Sequence, residues 1–267
     1  MREVSKEGMG GGVDRWFLIL AALFTAFGGV MGMLTLKHGR RSRWTLAWMA
    51  LGFVCLSGFL WVRGEARGAC PLVGSGEILA FLAWSLTLFY LVIGPTYRLS
   101  LLGVFSAPLV TAFLVGALAP GMWVNDPQRV EGTNGWQETH SAMSVLGYGG
   151  LALAAVAAVM FLVLDKQLKD HHLTSGLFRN LPPIRELLIS IRRLLWAGWL
   201  VMSVGIVAGF RMPHGQDVHL HLLAALGVWL GYALLIGVAQ FRGLAGRHLS
   251  IGAVGLFIVS LSVFVFI

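Results

Sequence analysis

The sequence predicts an all-α, polytopic integral membrane bundle of about eight transmembrane helices with both termini on the outer face. Three observations carry this. Hydrophobic residues are 57% of the chain and charged residues 12%, with a mean hydropathy of +0.78, a composition outside the range of soluble domains. Long apolar runs recur, each near the roughly 20 residues that cross a hydrocarbon core at about 1.5 Å per residue. The basic residues gather in the segments between the runs, where they set orientation.

Residues 1–15 form a polar stretch without the basic, apolar and small-residue regions of a cleavable leader, and read as a short N-terminal tail. Residues 16–267 read as a single transmembrane domain. Its apolar runs lie at 16–36, 44–62, 77–97, 99–119, 140–164, 194–210, 219–239 and 249–267. Runs of this length satisfy their backbone groups in hydrocarbon only as helices, whereas barrel strands are half as long and alternate. The fifth run carries no charged residue after His140 until Asp165 ends it. Between the fifth and sixth runs, a Pro-Pro break precedes an amphipathic pattern. Ile184, Leu187, Leu188 and Ile191 lie on one side, with Arg185, Arg192 and Arg193 opposite. This predicts an interfacial helix held by anionic lipid.

Thirteen of the 20 lysines and arginines fall at 37–43, at Arg98, at 165–193 and at 240–248. The positive-inside rule makes that side cytoplasmic and places His140, His214, His219 and His221 at the outer face. The formal charge of +8 therefore belongs to topology, and no nucleic-acid partner is expected. Cys55 and Cys70 form neither a disulfide framework nor a CxxC pair. No HExxH, GxSxG or phosphate-loop motif occurs, and no span carries a carboxylate with an evident basic partner, so a non-enzyme is expected. Glu77, at the start of the third run, reads as a helix cap and interface anchor.

His140 is the first candidate for chemistry, because an imidazole at a membrane surface offers a nitrogen to a metal near neutral pH. Ser144 and Gly147 share its helix face and leave room for a ligand or for a neighbouring helix; the spacing serves either. Gly150, Ala154 and Ala158 recur every four residues, a small-residue face for close helix approach. His219 and His221 stand two apart and point to different faces of one helix. His221, one step deeper, is the expected interior partner. Two histidines from two helices at one membrane face are what bis-imidazole haem ligation needs.

The stretch ACPLVGSGEILAFLAWSLTLFYLVIG, followed by LLGVFSAPL, resembles the cytochrome c assembly proteins of the CcsA/ResC/CcmC type, in which a proline and a glutamate precede a helix with an Ala-Trp pair. Pro71, Glu77, Ala83, Trp84 and Pro108 fit that pattern. The runs HSAMSVLGYGGLALAAVAAVMFLVLDKQLK and LPPIRELLISIRRLLWAGWLVMSVGIVAGF are similar to the central part of the family, closest to its shorter HemX/YpjD-like members. The resemblance covers about residues 70–240. It implies a bacterial inner-membrane protein of cytochrome c biogenesis that binds or relays haem b at the outer face, with another cytochrome c assembly membrane protein and the lipid bilayer as partners. His140 matches the family's first outer histidine. The second would fall on Gly237, and the loop before the seventh run lacks the family's tryptophans. The expected iron ligands are therefore His140 and His221, with His219 beside them and Trp136 and Trp229 as the aromatic edge of the pocket. The alternative is a HemX-like regulator or scaffold of tetrapyrrole metabolism that has lost the haem site.

Overall fold

The computed structural model describes residues 4–37, 44–96, 100–125, 127–132, 134–169, 184–212 and 218–266. Among them are eight helices and no strand: α1 (Val4–Lys37), α2 (Trp44–Arg67), α3 (Ser75–Thr96), α4 (Ser100–Ala117), α5 (Gly135–Lys169), α6 (Ile184–Arg211), α7 (Val218–Phe241) and α8 (Gly246–Phe266). Six are long and apolar enough to cross a membrane, and α4 and α8 contribute the shorter apolar segments Leu101–Ala117 and Gly246–Ser262. The protein is a polytopic helical membrane bundle. Trp16 and Trp61 at one end and Trp44 at the other stand 65%, 71% and 71% exposed, which is where amphipathic indole rings meet the headgroups.

Three helices outrun their apolar cores. α1 begins at Val4, so the stretch expected as a polar tail is helical from there. α5 reaches both ways past its run, from Gly135 to Lys169. α6 begins at Ile184, and the amphipathic stretch expected to lie on the membrane is its first turns instead. For α5 and α6 the cause is local: Glu, Gln, Lys and Arg are good helix formers and prolong the ladder into water. Tertiary contact finishes it, since Leu187, Ser190 and Ile191 are fully buried. A Cβ on Gly246 of α8 would stand 2.8 Å from both Leu188 and Phe161, so α5, α6 and α8 meet there.

α1 to α4 pack on one another, and α5 joins them to α6 and α8 while α7 packs on α6 and α8. α5 is the central post, with an unbroken buried stretch from Gly147 to Ala158. Its small residues let neighbours close in, as the Gly150, Ala154 and Ala158 pattern predicts. A Cβ on Gly149 would stand 2.3 Å from the Ser85 Cβ of α3, and one on Gly150 would stand 3.1 Å from the Cα of Gly198 on α6. Trp84 of α3 donates its indole N–H to Ser57 Oγ of α2 at 2.9 Å and stacks on Phe53, tying those two spans at mid-depth.

Candidate functional site

His140 lies in the second turn of α5, half-buried against α6. Its Nδ1 is 2.7 Å from the carbonyl oxygen of Gly205 on α6. A carbonyl only accepts, so Nδ1 carries the proton, and in the neutral ring Nε2 keeps its lone pair. A metal-ligating histidine usually has its other ring nitrogen fixed this way, which sets tautomer and ring orientation. The contact exists because Gly205 has no side chain: a Cβ there would stand 2.7 Å from Ser144 Oγ and 2.9 Å from Ser144 N. Gly147, one turn on, faces Gly198 and Met202 in the same seam. The room expected beside Ser144 and Gly147 is thus filled by α6, and no ligand fits on that face. The imidazole is hydrogen-bonded to a neighbouring helix through one nitrogen and leaves the other unengaged. Ser144 Oγ is buried without a hydrogen-bond partner.

One turn above His140, Trp136 is 43% exposed, and the Arg211 guanidinium at the end of α6 lies over its ring at 5.4 Å. Nothing in the sequence sets Arg211 apart from the other basic residues of the outer segments. His219 and His221 lie in the first turn of α7; their side chains, like all of His214, fall outside the described residues. Because α7 packs on α6 and α8, α6 separates the two histidine-bearing helices. Trp229 sits deeper, in the α6–α7 seam. Its ring stacks on Trp199 at 5.1 Å, its indole N–H donates to Ser203 Oγ at 2.8 Å, and its carbonyl accepts from the Trp199 indole at 3.2 Å. Its N–H and one ring face are committed to packing.

The same end of the bundle holds a buried charge network that corrects the expectation of no carboxylate paired within the spans. Arg63 of α2 donates to Asp14 of α1 and, at 2.8 Å, to Glu77 of α3. Arg67 donates to the same Glu77 oxygen at 2.7 Å. These four side chains are 1–6% exposed. The other Glu77 oxygen accepts the backbone N–H groups of Val73 and Gly74, so the expected cap is present as well. Arg63 and Arg67 also donate to the carbonyls of Val124 and Gln128, and Arg63 lies over the Trp123 ring. Two cations meet two anions, and spare guanidinium donors find backbone oxygens, which is what makes burial of charge tolerable. Sequence held a signal: Asp14, Arg63, Arg67 and Glu77 all fall at span ends that an even number of crossings brings to one side.

Beside this network a cavity of about 170 Å³ is lined by Cys70, Leu72, Val73, Val130, Glu138 and Ser141, among others. Burial, with the Glu138 and Glu77 carboxylates nearby, pushes the Cys70 thiol up to about 11. Relative to an ordinary thiol at 9.0, that leaves about a hundredfold less thiolate near pH 8. Maleimide labelling of Cys70, followed by mass spectrometry, is expected to be correspondingly slow and to rise about tenfold per pH unit up to pH 11. Labelling at the rate of a free thiol would show that the cavity is open and the carboxylates distant.

Fold and site together define a class: a multi-pass helical membrane protein that presents an oriented imidazole at one end. Residues 72–266 match the family described as Cytochrome C assembly protein, and the chain belongs to that family. It is 29% identical over 141 residues to the cytochrome c biogenesis protein CcsA of Nostoc punctiforme, a match covering 50% of this chain and 40% of that protein. With the CcsA protein of Rippkaea orientalis it is 31% identical over 137 residues, 49% of this chain and 39% of the other. With that of Thermosynechococcus vestitus it is 27% identical over 245 residues, 74% and 76% of the two chains. The chain thus spans about two fifths of the first two relatives. No solved structure matches it.

Proposed function

We propose that this chain is an assembly factor of cytochrome c biogenesis, not an enzyme, that holds or relays haem b at the outer face of a bacterial inner membrane. The observation that carries the reading is the Nδ1–H donation from His140 to Gly205. It leaves Nε2 as a lone-pair donor in a fixed direction, so His140 would be able to hold a haem iron through that nitrogen. Haem, when bound, would supply an iron that accepts imidazole nitrogens as ligands. The second ligand would be His221, with His219 as the alternative, both in the first turn of α7. Arg211 on that end offers a cation to a porphyrin carboxylate, and Trp136 shields the near edge. The natural partner is another cytochrome c assembly membrane protein that receives or delivers the haem.

The test is an absorption spectrum of protein purified from haem-replete cells. Wild type is expected to show a Soret band, and a pyridine haemochrome of non-covalent haem b. His140→Ala is expected to lose most of the band and to regain part of it with added imidazole. A wild-type protein without a Soret band sinks the haem reading and favours a HemX-like regulator. A spectrum unchanged in His140→Ala sinks the ligand assignment.

A further inference from the structure

At the end of the bundle opposite His140, a shallow groove runs between α6, α7 and α8. Leu195, Ile236 and Leu249 form its floor and are at most 5% exposed. Arg192 and Trp196 of α6 and Gln240 of α7 form its rim. Trp196 is 42% exposed, with its ring edge-on to Trp199 at 5.6 Å. Among the described residues no carboxylate pairs with Arg192, and no hydrogen bond engages the Trp196 indole N–H or the Gln240 amide. Exposed Arg242 and Arg247, at the turn between α7 and α8, add positive charge close by.

Depth locates the rim. Arg192 and Arg211 lie on one helix, about 28 Å apart at the α-helical rise, close to the thickness of a hydrocarbon core. If Arg211 marks one headgroup level, Arg192 marks the other. A groove there has lipid as its solvent. Its rim offers a guanidinium, an amide and an indole N–H, with no anion among them, while its floor is aliphatic. Such a set fits an amphiphile with an acidic head: the donors take phosphate oxygens, and the acyl chains stay in the surrounding lipid, since the space over the floor is only about 10 Å³. A zwitterionic lipid would bring its own cation against Arg192, Arg242 and Arg247.

We propose that the α6–α7–α8 groove is a binding site for an anionic phospholipid, held by Arg192, Gln240 and Trp196. This site is independent of the haem reading. It predicts that the protein, purified in mild detergent and analysed by native mass spectrometry, retains phosphatidylglycerol in preference to phosphatidylcholine. In nanodiscs, phosphatidylglycerol is expected to raise the melting temperature over pure phosphatidylcholine, and millimolar inorganic phosphate is not. Arg192→Gln is expected to weaken phosphatidylglycerol binding about fivefold, as fits roughly 1 kcal/mol for one cation near the headgroups. Gln240→Leu, which keeps the packing volume, is expected to weaken it as well. Lys169→Gln removes a charge that is already paired with Asp165, and is expected to leave binding at the wild-type level. Equal retention of the two lipids, equal loss in Lys169→Gln and Arg192→Gln, or full protection by inorganic phosphate would each overturn the proposal.

Discussion

Glu77→Gln is expected to lower the stability of the bundle by about 3–5 kcal/mol, the cost of leaving a buried charge without its partner. The reason is stoichiometric. Arg63 and Arg67 both donate to Glu77, and Arg63 alone reaches Asp14. Without the carboxylate, Arg67 has only neutral acceptors, the amide oxygen and the carbonyl of Gln128 at 3.3 Å, for a charge whose side chain is 6% exposed. The glutamine amide also brings donors toward two guanidinium groups, and the cap on Val73 and Gly74 weakens. Thermal unfolding in detergent micelles measures the loss. Limited proteolysis reports its location, since the segment from Trp123 to Val130 is held by Arg63 and Arg67 and is expected to become cleavable at Arg129. The double variant Glu77→Gln with Arg67→Gln removes one charge of each sign and is expected to recover part of the stability. A single variant that melts with wild type would mean that the four groups are solvated, against their burial.

What the sequence carried and what it missed follow from the range of the forces involved. Spans were legible because hydrocarbon imposes one requirement on every residue of a run, so composition over about 20 positions is enough. Helix ends were not, because beyond the core the backbone can be satisfied by water, and packing decides: α6 is already helical and buried at Leu187 and Ile191, ahead of its apolar run. His140 stood out as the one ionisable group at the mouth of the longest run. The partner of its Nδ1 did not, since Gly205 contributes only a backbone oxygen, and backbone atoms leave no signature in a sequence. The charge network was hidden for the opposite reason. Each of its residues, taken alone, is an ordinary interfacial charge, and only the folding of three spans side by side brings them within hydrogen-bond reach.

The seam that holds His140 leads to the second large effect. Gly198→Val is expected to abolish the close approach of α5 and α6 and, on the proposed haem reading, to cost the protein its haem with His140 itself intact. A Cβ at Gly198 would stand 2.9 Å from the Gly147 carbonyl oxygen and 2.9 Å from Leu151 N, and a Cβ at Gly147 would meet Gly198 O at 2.9 Å. These neighbours are backbone atoms, which cannot rotate away, so the helices themselves must separate. Overpacking of this kind costs about 1–3 kcal/mol, and a branched side chain against main chain belongs at the upper end. Separation at Gly198 carries up the seam to Gly205, two turns away on α6, where the His140 contact of 2.7 Å has no slack. Once that hydrogen bond opens, the ring is free to turn, and Nε2 no longer points in one direction. Gly227→Ala is the matched control: a Cβ there meets nothing within 4 Å, so the change is expected to leave the spectrum intact and to favour the helix by up to about 1 kcal/mol. Melting temperature and Soret absorbance, read together on both variants, separate the two roles of the seam. A Gly198→Val protein that is destabilised yet retains its haem would show that His140 needs no carbonyl to hold it in place. One that melts with wild type would show that α5 and α6 do not pack through their glycines.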